Sequence, residues 1–149
     1  MISGFDIGQE ILESIQKVYR KKLRYVILRF DDKYQNLLLI KTAKYEKFDK
    51  STFSEIVDYY TSQCPKSFLY SFFHFEYNNK SGHFRNRVAC LKIGIPERAE
   101  IREKMIYASS YKHLQQVTKC NTYIDCTDIS SLEYDNIVEM LIEKCEKYE

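Results

Sequence analysis

The sequence predicts an α/β sandwich, a central mixed β-sheet of about five strands flanked by helices on both faces. Three observations carry this. Apolar periodicity switches between helical and strand-like stretches in the order helix, hairpin, helix, hairpin, helix, strand, helix. One stretch, Ser67–Tyr77 (SFLYSFFHFEY), is almost wholly aromatic or aliphatic, as a central strand covered on both sides must be. The 149 residues are 44% apolar and 30% charged with only four Gly and two Pro, enough to bury one core and without repeat or linker, so residues 1–149 read as one domain.

Each element has its own signal. Gln9–Leu23 places Ile11, Leu12, Ile15, Val18 and Tyr19 at the spacing of an amphipathic helix. Tyr25–Phe30 and Gln35–Lys41 are strand-like and flank Asp31-Asp32-Lys33, which predicts a hairpin. Asp49 or Ser51 is placed to cap a second helix to about Ser62, with Phe53, Ile56, Val57 and Tyr60 on one face and Pro65 beyond its end. After the Ser67–Tyr77 strand, Asn78–Gly82 is turn chemistry and Arg85–Ile93 returns as its partner. Pro96 predicts the start of a third helix, with Glu97 and Glu100 near its positive end. Thr122–Cys126 is a short strand, and Ser130 or Ser131 is placed to cap a final helix with Glu133 near its third position.

Several function classes are disfavoured. The longest apolar runs, Tyr25–Leu28 and Leu37–Ile40, fall far below the ~20 residues that cross a bilayer. Met1–Phe5 followed by Asp6 lacks the basic start and apolar stretch of a signal peptide, so a cytoplasmic location is expected. The cysteines (Cys64, Cys90, Cys120, Cys126, Cys145) are odd in number and lack C-x-x-C spacing, which fits reduced core residues better than zinc ligands. His74, His83 and His113 stand at no suggestive spacing from a carboxylate or cysteine, and glycines at 4, 8, 82 and 94 make no phosphate loop. Catalysis, a metal and a cofactor are therefore not expected. Nucleic-acid binding is disfavoured too, because the net charge is only +2.

That small net charge hides asymmetry. Asn78–Lys112 carries eight Lys/Arg against three Glu, whereas Asp125–Glu149 carries eight Asp/Glu against two Lys. Such a division gives one surface that seeks an acidic partner and another that avoids it, or two solvated faces in balance. The third helix is the sharpest feature. With Met105 as origin at 100° per residue, Arg98, Arg102, Ile101, Ala108 and Lys104 fall around it, while Tyr107, Ile106 and Ala99 fall opposite. One apolar face can pack on the sheet; the other, Ile101 and Met105 hemmed by cations, suits docking. Apolar stripes are more often core than interface, and pattern alone leaves both open.

Arg102-Glu103-Lys104-Met105-Ile106-Tyr107-Ala108-Ser109-Ser110 resembles the R-x-K-M-(V/I)-Y-A-S-S stretch of the actin-depolymerising factor/cofilin family, where a proline precedes it at the distance of Pro96. Ser3-Gly4, Leu23–Ile27, Leu69–Tyr77 with Arg85–Val88, Thr127-Asp128 and Tyr134-Asp135 extend the similarity over almost the whole chain. The resemblance implies the ADF-homology fold, a non-catalytic role without a cofactor, and actin as the partner. Under it, Arg98, Arg102, Lys104, Met105 and Lys112 with Ser3 and Gly4 contact an actin monomer, preferably ADP-bound, and filaments are depolymerised. It also implies a monomeric, cytoskeleton-associated protein, phosphoinositides as competing ligands, and Ser3 as a phosphorylation candidate.

The same resemblance assigns filament binding to the central hairpin and last helix. Arg85, Arg87 and Glu139 match it, but Phe84, Met140 and Glu143 stand where cations are usual. Weak or absent severing is therefore expected, since an acidic surface facing acidic actin costs affinity. Gly94-Ile95 replaces an aromatic before Pro96, which predicts a loosened corner, and Tyr111-Lys112 replaces a Lys-Asp pair. An anionic-ligand module reading phosphoinositide headgroups through the Arg85–Lys112 cluster is the alternative.

Overall fold

The computed structural model describes residues 7–47 and 50–146. Its elements are α1 (Gln9–Tyr19), β1 (Leu23–Phe30), β2 (Leu37–Lys44), α2 (Ser51–Gln63), β3 (Leu69–Asn78), β4 (Phe84–Ile93), α3 (Ile101–Thr118), β5 (Tyr123–Cys126) and α4 (Tyr134–Cys145). The sheet runs β2-β1-β3-β4-β5; every pairing is antiparallel except β4 with β5, so it is mixed, as expected. Strand alternation then builds two cores. Val26, Leu28, Tyr70 and Phe72 face α1 and α3, while Tyr25, Ile27, Phe73 and Phe75 face α2 and α4. The central position of β3 explains its unbroken apolar run: nearly every residue is buried.

Boundaries depart from the sequence reading for local reasons. Helix α1 stops at Tyr19, because Lys21 takes a left-handed φ of 62° before β1 begins; Tyr19, expected on the apolar face, is exposed. Ser51 is the first residue of α2 rather than its cap, the capping position being Lys50, and Asp49 lies outside the described residues. Pro96 opens a short 3₁₀ turn, Pro96–Arg98. Ala99 and Glu100 are extended, so α3 starts only at Ile101. Ser130 and Ser131 likewise belong to a 3₁₀ turn, Ile129–Ser131, capped by the Asp128 carboxylate, which accepts from the Ser131 N–H at 2.8 Å. The cap of α4 is Glu133.

The corner at Gly94 is filled rather than loose. A Cβ there would lie 2.0 Å from the Phe68 ring, so the missing side chain is what admits that ring, and the Gly94 N–H donates to the Cys126 carbonyl at 3.1 Å. Gly94→Ala is expected to lower stability by about 1–3 kcal/mol through overpacking; urea unfolding measures it.

All five cysteines are free thiols, four of them buried. Burial pushes Cys64 up to about 11 and Cys126 up to about 12, so both stay protonated and inert at neutral pH. One buried charge needs explanation. Arg24 is nearly inaccessible, yet its Nη1 lies 2.7 Å from Glu76 Oε1 and donates to the His74 carbonyl at 2.7 Å, while Nη2 donates to the Glu46 carbonyl. Burial alone would raise the Glu76 carboxyl pKa; the Tyr45 hydroxyl and Arg24 outweigh it and hold it below its usual range. A lowered carboxylate contributes stability above its unfolded pKa of about 4.3 and loses it as pH falls through the folded value. Glu76→Gln is therefore expected to flatten the acid limb of a stability–pH profile below about pH 4.

Candidate functional site

Helix α3 is fastened by its inner face. Tyr107, Tyr111 and Leu114, at i, i+4 and i+7, are buried against the sheet. The Phe30 N–H donates to the Tyr107 hydroxyl at 3.0 Å, and the Tyr70 hydroxyl donates to the Tyr107 carbonyl. The Tyr111 hydroxyl reaches the Cys90 carbonyl at 2.6 Å and the Ile124 carbonyl at 3.0 Å. Burial pushes Tyr107 up to about 12 and Tyr111 higher still, so both hydroxyls keep their protons. These bonds fix the roll of the helix and hence what it shows to solvent.

The outer face is apolar and unshielded. Ile101 is 73% and Met105 66% exposed, and Arg102, Ala108, Ser109 and Lys112 are exposed beside them. Lys112 stands two turns beyond Met105 on the same stripe. Lys104 is half-buried at the flank. Arg98 departs from the helical wheel drawn from sequence: it sits in the 3₁₀ turn and lines a cleft of about 510 Å³ with Arg29, Asp31, Tyr34, Lys66 and Glu103. Ser3 and Gly4 lie outside the described residues.

Two exposed or half-exposed residues at this end of the sheet escaped the sequence reading. Tyr34, at φ 56° in the β1–β2 loop, places its ring 5.3 Å from the Arg102 guanidinium. Burial raises its hydroxyl pKa, and the Glu103 carboxylate adds to the effect. Tyr34→Ala is expected to weaken docking of a protein partner at this face about two- to fivefold, the loss of roughly 0.5–1 kcal/mol of cation–π positioning, measured as Kd. Ile129 is 59% exposed. The parallel register Ile93↔Cys126 carries the chain after β5 to the same end of the sheet as the start of α3. Only topology brings Tyr34 and Ile129 there, and no local motif marks either.

The hairpin and last helix are arranged otherwise. Arg85 Nε lies 2.8 Å from Glu146 Oε1, and that carboxylate is buried just past the end of α4. Arg87 and Glu146 both lie beside the Tyr77 hydroxyl. Glu139, Met140 and Glu143 are exposed on α4, so its outer surface is acidic, with Lys144 the cation of its last turn. Phe84 projects from the start of β4, 57% exposed.

A five-stranded sandwich presenting one apolar helix face edged with cations has the surface composition of a protein-docking domain. The family model for "Cofilin/tropomyosin-type actin-binding protein" matches residues 4–142. The chain belongs to this family. It is 31% identical to the cofilin of Schizosaccharomyces pombe over 144 residues, covering 95% of this chain and 98% of that one. It is 28% identical to the cofilin of Mycosarcoma maydis over 141 residues, covering 93% and 95%. Among solved structures it is similar to the ADF-like UNC-60A protein of Caenorhabditis elegans, with a TM-score of 0.79, 22% identity and coverage of 99% and 100%, which bears on the fold alone.

Proposed function

We propose that this chain works as one ADF-homology domain over residues 1–149, binding actin monomers through the outer face of α3 and promoting filament depolymerisation. The single observation carrying this is the exposure of Ile101 and Met105 on a helix whose opposite face is locked to the sheet. An exposed apolar strip rimmed by Arg102, Lys104 and Lys112 has the composition of an interface anchor: Met supplies adaptable packing, and the cations steer the approach to acidic actin. Arg98, exposed in the 3₁₀ turn that precedes α3, adds a contact from beyond the helix, and Ser3 with Gly4 serve as the tail contact. A phosphate on Ser3 would add about −1.5 to −2 charge and oppose docking. The preferred form is ADP-actin. No chemistry is catalysed, and the setting is the cytoplasm, on the cytoskeleton; no helix among the described residues is long and apolar enough to cross a membrane.

Titration into fluorescently labelled ADP-actin monomers tests the reading, with a Kd near or below micromolar expected; no binding to monomers overturns it. The acidic outer surface of α4 supports weak severing, and abundant severing in filament imaging would contradict that part. The same helix cations support competition by phosphoinositides. Vesicles containing the headgroup are expected to displace actin, and vesicles without it are not.

A further inference from the structure

The end of the sheet opposite the start of α3 gathers six exposed cations. Lys17, Arg20, Lys21 and Lys22 close α1 and the turn into β1, and Lys44 and Lys47 lie at and beyond the end of β2. The pairing Leu23↔Lys44 and the Tyr45 N–H, donating to the Lys22 carbonyl at 3.2 Å, hold these segments side by side. All six side chains are exposed, and none forms an ion pair among the described residues. The neighbouring carboxylates among the described residues include Glu13, one turn back from Lys17, and Glu46 and Glu55, which line a cleft with Lys44 and Lys47; Glu55 also faces Lys41 at 4.0 Å, and Glu76 is already committed to Arg24. Crowded like charges weaken the folded chain slightly and raise its attraction for an acidic surface.

This patch adjoins the central hairpin without sharing its charge balance. The His74 ring joins the Val18 carbonyl (2.9 Å) to Asn86 Oδ1 (3.1 Å), tying the end of α1 across β3 to β4. On the other side of the sheet, Arg85 is engaged by Glu146, and α4 presents Glu139 and Glu143. Lys80 and Arg87 of the hairpin add to the positive charge of this end, but most of its cations belong to α1, β2 and the residues that flank them. Helix α3, 18 residues and about 27 Å long, leads from the Ile101 end toward this one. An actin subunit seated on Ile101 and Met105 leaves the patch for a second molecule.

We propose that Lys17–Lys22 with Lys44 and Lys47 form the filament-side contact, docking on an acidic surface of a second actin subunit in place of the hairpin and last helix. This inference rests on the actin-binding reading of α3. The test compares the full chain, its K22E/K44E variant and its R85A/R87A variant in pelleting with ADP-actin filaments and in titration of ADP-actin monomers. The expected result is at least tenfold weaker filament binding for K22E/K44E with a monomer Kd within twofold of wild type. Filament binding of the wild type should also fall more steeply with salt than that of K22E/K44E. Unchanged filament binding in K22E/K44E, or a loss confined to R85A/R87A, overturns the proposal. A wild type that binds monomers but never pellets with filaments also overturns it and leaves the α3 reading standing. Binding to neither form overturns both.

Discussion

Replacing Arg102 and Lys104 together by alanine is expected to raise the Kd for ADP-actin monomers at least a hundredfold, about 3 kcal/mol. The size follows from their places. Arg102 is held over the Tyr34 ring and flanks Met105, so its guanidinium is positioned before actin arrives. Lys104 is half-buried on the other flank, where its stem covers apolar surface and its ammonium meets the rim. Removing both takes away the steering charge and the walls of the apolar strip at once. Neither side chain holds the fold, because the inner face of α3 is secured by Tyr107, Tyr111 and Leu114. Unfolding midpoints in urea should therefore stay at the wild-type value while binding collapses.

The largest effect on stability is expected at Arg24. Arg24→Ala leaves Glu76 without its charge partner and removes the Arg24 donors from the carbonyls of His74 and Glu46. Breaking a buried pair by removing one member typically costs 3–5 kcal/mol. Glu76 keeps some access to solvent, with 18% of its side chain exposed, which puts the expected loss near about 3 kcal/mol. Urea unfolding measures it. The double variant Arg24→Met with Glu76→Gln is expected to recover much of the loss, because no charge is then left buried alone. Equal losses in the two variants would place the effect in packing rather than charge.

Much of this architecture is legible in the sequence because it rests on local patterns. The unbroken apolar run of β3 follows from its central position, and the two-faced α3 follows from helical spacing. What stayed hidden depends on distance in the chain or on turns that imitate helix starts. Pro96 and Ser130-Ser131 carry helix-start chemistry, yet each belongs to a 3₁₀ turn that an extended residue, Ala99 or Glu133, separates from the helix, which displaced the helix starts and moved Arg98 off α3. Glu146 meets Arg85 across 61 positions, and Phe68 fills the space beside Gly94, so neither the engaged cation nor the closed corner shows in a local window. The cations of residues 17–22 and 44–47 lie in separate segments that only the β1–β2 pairing joins.

The measurement that bears most directly on the central claim is amide hydrogen exchange of the full chain with and without saturating ADP-actin monomer. Protection centred on residues 101–112, extending to the loop around Ile129 and leaving the β3–β4 hairpin unchanged, is the expected result. Protection confined to the hairpin or α4, with exchange in α3 unaltered, would contradict the assignment of its outer face as the actin-binding surface.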